Sequence, residues 1–241
     1  MPETIITRRQ ALCAGAGGTL SCSLLGSWLG NAQPAIHINP RYRLAGLRLV
    51  NSMDTERKAF LQTLGPLVYQ PVTDAVDRWG ETPALGFTNT GESVQTLLLA
   101  LGLALVETRP GEAIDPTPLY AAEYEGRHHR RGLWANPQQW RVNARQLAAD
   151  YNNHLYRYVI AYGTLVDVAA FSRITYLNFD MDYRYDTSAG IPRRWQNHWR
   201  DAPYVVDELA GRRVEMRGML EQYNGPWFVL THWQSLRVLD D

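Results

Sequence analysis

The chain has 241 residues, of which 45% are apolar and 20% charged, with 24 basic residues against 24 acidic ones. That length and composition support a substantial buried core and exclude a mainly disordered chain. A formal charge of zero argues against a protein that works by wrapping duplex DNA, whose affinity comes from neutralising phosphates with a basic surface. Lys58 is the single lysine, so the positive charge is almost all arginine.

Thr7-Arg8-Arg9-Gln10-Ala11-Leu12 sets paired arginines before a weakly apolar stretch from Ala11 to Gly30, and Gly30-Asn31-Ala32 follows with small residues. The pattern resembles a twin-arginine export signal over residues 1–35 and implies a periplasmic or exported protein. The alternative is an uncleaved inner-membrane anchor, with membrane association through residues 11–30. Cys13 and Cys22, the two cysteines, both fall in this segment, so a processed chain would hold no disulfide and no Cys-ligated metal.

Past residue 40 the hydrophobic pattern predicts a strand over Arg43 to Val50 and a helix over Asp54 to Leu64, capped by Ser52 or Asp54 and stopped at Gly65-Pro66. A strand near Ala84 to Thr88, a Ser93-capped helix from Val94 to Gly102 and an extended Leu103 to Glu107 follow. Leu119 to Arg131 reads as a helix with Glu123, Arg127 and Arg130 facing solvent, closed by Gly132-Leu133-Trp134. Asn136-Pro137 marks a boundary, and a polar linking helix is expected over Gln138 to Tyr151. Beyond it the period turns to two over Tyr156 to Val168, Arg173 to Phe179 and Thr187 to Ile191. Pro192 to Leu209 reads as helical stretches broken at Pro203. Arg212 to Glu221 and Trp227 to Leu239 are two further strands, joined through Tyr223-Asn224-Gly225-Pro226. Three strands, a helix and two strands is the order of an OB-type barrel. The expectation is a β-rich α+β protein with a first domain over residues 36–137, a linker over 138–153 and a five-stranded OB-like barrel over 154–241.

Asp77-Arg78-Trp79-Gly80-Glu81-Thr82-Pro83-Ala84-Leu85, then Val94-Gln95 leading to Ala100-Leu101-Gly102-Leu103-Ala104-Leu105-Val106, resemble motifs of the thermonuclease, or staphylococcal nuclease-like, family. Tyr42-Arg43-Leu44-Ala45-Gly46-Leu47 and the Arg131-Gly132-Leu133-Trp134 closure extend the resemblance over residues 41–137. Tyr176-Leu177-Asn178-Phe179 and Tyr223-Asn224-Gly225-Pro226 look like the extra domain of some bacterial members. The resemblance implies an OB-fold barrel, here incomplete at its N-terminus. Active members combine carboxylates that hold calcium, a Glu that activates water and two arginines that stabilise the phosphate, which is the equipment phosphodiester hydrolysis needs. With Arg43 on the first arginine, the metal carboxylate falls on Arg48, the base on Asn51 and the second arginine on Glu81. Arginine cannot ligate a cation, Asn cannot take a proton, and Glu repels phosphate. Arg43 alone persists.

Elsewhere, His128 and His129 are adjacent on a helix and share no ligand face. His198 and His232 stand alone among aromatics, and Asp180, Asp182 and Asp186 alternate at a hairpin without the Gly and Glu of a calcium loop. Arg173, Tyr176, Phe179, Tyr183 and Arg184 form an aromatic and basic cluster, the candidate surface for a nucleic acid or another partner. Trp195, Trp199, Trp227 and Trp233 add large apolar area. The leading expectation is an exported, catalytically inactive thermonuclease-like binding or scaffold module in a cell-envelope protein complex, with no cofactor. The alternatives are a calcium-dependent nuclease using Asp54 or Glu56 as base and Arg43 or Arg57 as clamp, or a single-stranded nucleic-acid-binding protein.

Overall fold

The computed structural model describes residues 41–182 and 186–239. The export-signal, anchor and cysteine readings of residues 1–35, and the candidates Tyr183 and Arg184, lie outside the described residues.

The first predicted strand is two. β1 (Tyr42–Leu44) and β2 (Leu47–Leu49) are separated by a turn at Gly46, whose φ of 77° is a left-handed conformation that suits glycine. Helix α1 (Asp54–Thr63) follows a 3-10 turn at Asn51–Met53. Neither Ser52 nor Asp54 caps it by its side chain: the N-cap is Met53, and Asp54 pairs instead with Arg57 one turn on. Strand β3 (Val68–Pro71), which sequence pattern did not give, pairs antiparallel with β4 (Thr82–Phe87), and β4 pairs in parallel with β1.

Helix α2 (Val94–Ala100) begins where expected, because the Ser93 side chain accepts the Thr96 N–H at 3.3 Å and fills an otherwise orphan donor. Its Gln95 is fully buried and fully used. The amide oxygen accepts the Gly86 N–H at 3.1 Å, and the amide nitrogen donates to the carbonyls of Ala84 and Ala45 at 3.0 and 3.4 Å. One side chain thus fastens the helix to β4 and to the turn after β1. β5 (Ala104–Val106) pairs antiparallel with β2. Helix α3 (Thr117–His128) packs against α2 at a distance only glycine permits: a Cβ on Gly126 would lie 2.4 Å from the Leu99 carbonyl oxygen. The Leu133 N–H then donates to the Gly102 carbonyl at 2.9 Å and Trp134 is fully buried, so the Gly-Leu-Trp closure locks the two helices together.

The linking helix expected over 138–151 is instead a 3-10 turn at Pro137–Gln139, strand β6 (Arg141–Asn143) and a short helix α4 (Ala144–Asp150) capped by the Asn143 side chain. Tertiary pairing overrides polar composition here, since β6 lies parallel to β7 (Tyr158–Thr164). β8 (Asp167–Ala170), β9 (Ile174–Asn178) and β10 (Ser188–Pro192) follow, then 3-10 turns at Arg193–Trp199 and Val206–Glu208. β11 (Arg213–Met219) and β12 (Glu221–Gln222) come next. The last expected strand is two, β13 (Pro226–Val229) and β14 (Leu236–Val238), which join different sheets across a 3-10 turn at Trp233–Ser235.

The strand-rich α+β class holds, with 14 strands and four α-helices among the described residues. The closed barrels do not. Strand orders are β1-β4-β3, β2-β5, β14-β11-β7-β6 and β12-β13-β10-β9-β8, and no sheet among the described residues returns to its first strand as a barrel must. In the C-terminal half, β11 leaves the chain's hairpin order to pair with β7, while β13 returns to lie parallel to β10. The five- and four-stranded sheets enclose one core that includes Val159, Ala161, Leu177, Phe179, Met216 and Phe228. A second core, around Leu44, Leu98, Leu99 and Leu119, fills the N-terminal half, and a third, with Leu105, Trp134, Trp140 and Ile160, bridges the two.

Candidate functional site

The four positions that the nuclease resemblance singles out sit on β1, β2 and the loops beside them, and the two arginines among them, Arg43 and Arg48, are held in ion pairs. Arg43 lies between two carboxylates, with ion pairs to Glu112 at 2.8 Å and Asp77 at 3.4 Å. Glu112 also accepts the Gly46 N–H, and Asp77 accepts the Glu81 N–H, so Arg43 and Glu81 meet through Asp77. Arg48 pairs with Glu107 at 3.4 Å and lies over the Tyr158 ring. Asn51 is exposed at the start of the turn before α1. Arg57, the alternative clamp, is buried, donating to the carbonyls of Val50 and Leu103 and pairing with Asp54.

A larger set of buried charges joins the two halves. Glu123, expected in solvent, is only 2% exposed. Its carboxylate accepts the Val106 N–H at 2.7 Å and both terminal nitrogens of Arg217 at 3.0 and 2.7 Å. Arg217 also bonds Glu215, which in turn accepts Arg141 Nε at 2.7 Å. Burial opposes ionisation of Glu215, but Arg217 and Arg141 outweigh it and hold the carboxyl down to about 2. Nearby, His232 shares a 2.8 Å hydrogen bond with the Thr108 hydroxyl, and burial together with His198 pushes its imidazole down to about 4, so it is neutral at pH 7. Two cavities open along this seam, of about 1050 and 500 Å³, each mixing arginines with carboxylates.

The surface left without such pairing is aromatic. On the five-stranded sheet, cross-strand registry aligns Asp167, Asn178, Ser188 and Trp227 on one face, with Tyr176 in the next row beside Ala169 and Gly190. This face turns away from Leu177, Ala189 and Phe228, which alternate into the core. Trp227 lies flat across the sheet because position 190 has no side chain: a Cβ there would come within 2.5 Å of the indole. Tyr176 and Tyr223 flank the indole at centroid distances of 5.7 and 5.5 Å, and Phe171 meets Tyr176 edge-on at 5.7 Å. These rings line a cleft of about 400 Å³ together with Asp167, Asn178 and Ser188, which share the sheet face with Trp227. The Asn178 amide donates to Asp167 at 3.3 Å.

Of the aromatic and basic set expected to bind a partner, the cleft takes Tyr176. Phe179 points the other way and is 2% exposed in the core, since it falls one residue out of phase with Tyr176. Arg173 is exposed in the turn before β9 and does not line the cleft. Sequence reading missed Asp167, Phe171 and Tyr223 as site residues. The signal was there in the period: Asp167, Ala169 and Phe171 take one face while Val168 packs on the core, and a glycine inside a strand, Gly190, marks a close approach.

Searches against protein-family models and against curated proteins find no match to this chain.

Proposed function

We propose that this protein is a catalytically inactive, thermonuclease-like binding module, exported to the cell envelope and working within a protein complex, with its N-terminal half derived from an OB-type nuclease fold and its C-terminal half from a second OB-like one. The observation that carries the reading is the state of Arg43. A phosphate clamp must keep its guanidinium available to an oxyanion, whereas Arg43 is pinned between Asp77 and Glu112, beside an Arg where the family needs a metal carboxylate and an Asn where it needs a base. With hydrolysis unsupported, the feature that meets solvent in ligand-binding form is the aromatic cleft on β8, β9, β10 and β13, which lies within the ~300–1,000 Å³ of small-molecule sites. Calcium enters only under the nuclease alternative, where it would need carboxylates other than the ones family motifs supply.

The test is cleavage of labelled single- and double-stranded DNA and RNA by the purified chain, with calcium and with chelator, beside Arg43→Ala. No cleavage by either protein is expected, and Arg43→Ala is expected to cost about 1–3 kcal/mol of stability because it strands the buried Glu112 carboxylate. Calcium-dependent cleavage that disappears in the variant would overturn the reading.

A further inference from the structure

We propose that the aromatic cleft binds a neutral sugar ring, as a unit of a glycan, stacked on Tyr223, which the buried Trp227 indole backs, and held at its hydroxyls by Asp167 and Asn178; this deepens the binding-module reading and rests on it.

The chemistry of the lining selects the ligand class. Among its described lining residues the cleft has one carboxylate, Asp167, and no Arg, Lys or His. A nucleic-acid strand brings a phosphate for each base, and single-strand binding sites set cations beside their aromatic platforms. Among the described lining residues the fixed charge is negative, and it repels phosphate. A cation, the other partner for aromatic rings, is favoured where several faces converge on one point. These rings instead meet in succession, from Phe171 to Tyr176 to Trp227 to Tyr223, at 5.5 to 5.7 Å between successive centroids and with successive planes inclined by 85°, 52° and 56°. The two exposed rings, Phe171 and Tyr223, stand at the ends of that succession with the half-buried Tyr176 and the buried Trp227 between them, so each offers its own stacking face.

The polar residues in the same row of the sheet as Trp227 supply what a polyhydroxyl compound needs. A carboxylate accepts at two oxygens and an amide both donates and accepts, so Asp167 and Asn178 keep capacity for a ligand after their mutual bond. Cross-strand registry places these two residues and Ser188 on adjacent strands, spaced by the ~4.8 Å of a sheet, a separation comparable to that of hydroxyls on opposite sides of a six-membered ring. The C–H face of such a ring carries the slight positive charge that the negative face of an indole or phenol attracts. The cleft is also built in advance. Gly190 leaves the space in which the Trp227 indole rests, and the indole is only 7% exposed, so its position does not wait for ligand. Tyr223, 58% exposed at the rim, is the ring that a bound sugar would cover.

Saturation-transfer difference NMR on the full chain tests this with maltotriose, cellotriose, chitotriose, mannotriose and lactose, beside an oligothymidylate and choline. At least one saccharide is expected to receive saturation from aromatic protons, and its affinity is expected to fall about tenfold in both Tyr223→Ala and Asp167→Ala. Tyr223 is exposed, so its variant keeps the melting temperature of the parent and separates lost contact from lost fold. Silence from every saccharide, saccharide binding that both variants leave unchanged, or oligothymidylate or choline binding in place of sugar and lost in Tyr223→Ala would each overturn the proposal. Cleavage of nucleic acid by the chain would instead sink the non-catalytic reading and leave a positive sugar result standing; sugar silence without cleavage sinks the ligand class alone.

Discussion

The seam between the two halves and the aromatic cleft invert the usual placement of residues: the seam puts charges inside and the cleft puts rings outside. At the seam the buried carboxylates of Glu123 and Glu215 are compensated, although Arg217 Nε is buried without a hydrogen-bond partner among the described residues. Glu123, Arg217 and Glu215 have side chains no more than 4% exposed, and each carboxylate is met by guanidinium or backbone donors. At the cleft the departure is left open, with Phe171 63% and Tyr223 58% exposed. A buried charge with its partners in place is structure, and exposed rings with hydrogen-bonding groups beside them are a surface with something still to bind. The same distinction disposes of Arg43, whose carboxylate partners make it one of the seam's kind.

The sharpest way to break the comparison is Arg217→Ala. It leaves Glu123 and Glu215 buried with their main counter-charge gone, and removing one partner of a buried pair costs about 3–5 kcal/mol. Urea unfolding should show that loss as a lower midpoint, with the remaining folded fraction still binding whatever the cleft binds. Arg217→Met, which removes the charge but fills the space, should be no milder, because the two carboxylates stay uncompensated. A loss below about 1 kcal/mol would mean that the carboxylates find water, and that the seam is no more than a surface ion pair.

Gly190→Ala attacks the other region, with a smaller expected effect. The added methyl meets the Trp227 indole on one side and the Ile174 Cδ1 on the other, at 2.5 and 2.6 Å. Overpacking of this kind costs about 1–3 kcal/mol, and the cheapest relief is for the indole to swing off the sheet. Cleft binding should therefore disappear while the seam is untouched, and the Trp227 indole N–H resonance should move in a two-dimensional NMR spectrum. Retained binding with an unmoved resonance would show that Gly190 is not what seats the indole.

Local signals carried the fold as far as local physics decides it. The Ser93 cap, the α1 and α3 segments and the glycine-dependent closure at Gly132-Leu133-Trp134 were legible, because caps, period and turn residues act within a few positions. What failed is long-range. Glu123 sits on a helix face that reads as polar, and nothing nearby in sequence reveals that Arg217, 94 residues away, will cover it. β6 reads as part of a helix until β7 offers it a parallel neighbour, and β13 and β14 read as one strand until two sheets compete for them. The cleft was half legible: Tyr176 was on the page, but Trp227 and Tyr223 reach it only because β13 returns beside β10.

The two regions also carry opposite pH dependences, the smallest effect and the most specific. At the seam, burial and His198 hold the His232 imidazole down to about 4 against its ordinary 6.5. The unfolded chain therefore takes the proton first, and the stability contributed by neutral His232, full above pH 6.5, is lost as pH falls toward 4. At the end of the sheet that bears the cleft, burial pushes the Asp186 carboxyl up to about 6 from 3.8, over the opposing hydrogen bonds from Asp180 and Phe179 backbone. There the folded chain keeps the proton longer, so stability is highest below about pH 4 and is lost as pH rises through 6. Glu215, held down to about 2 from 4.5, stays ionised in the folded chain throughout this window, but the unfolded chain takes up its proton near 4.5, so Glu215 adds a rise of stability with pH that is common to the parent and to variants of the other two groups. In the parent the two trends oppose each other between pH 4 and 6. Relative to the parent, His232→Gln should tilt the urea midpoints downward from pH 4 to 6, because the Asp186 trend loses its opponent, and Asp186→Asn should tilt them upward over the same range. Profiles that remain parallel in the two variants would show that neither group is buried as the fold places it.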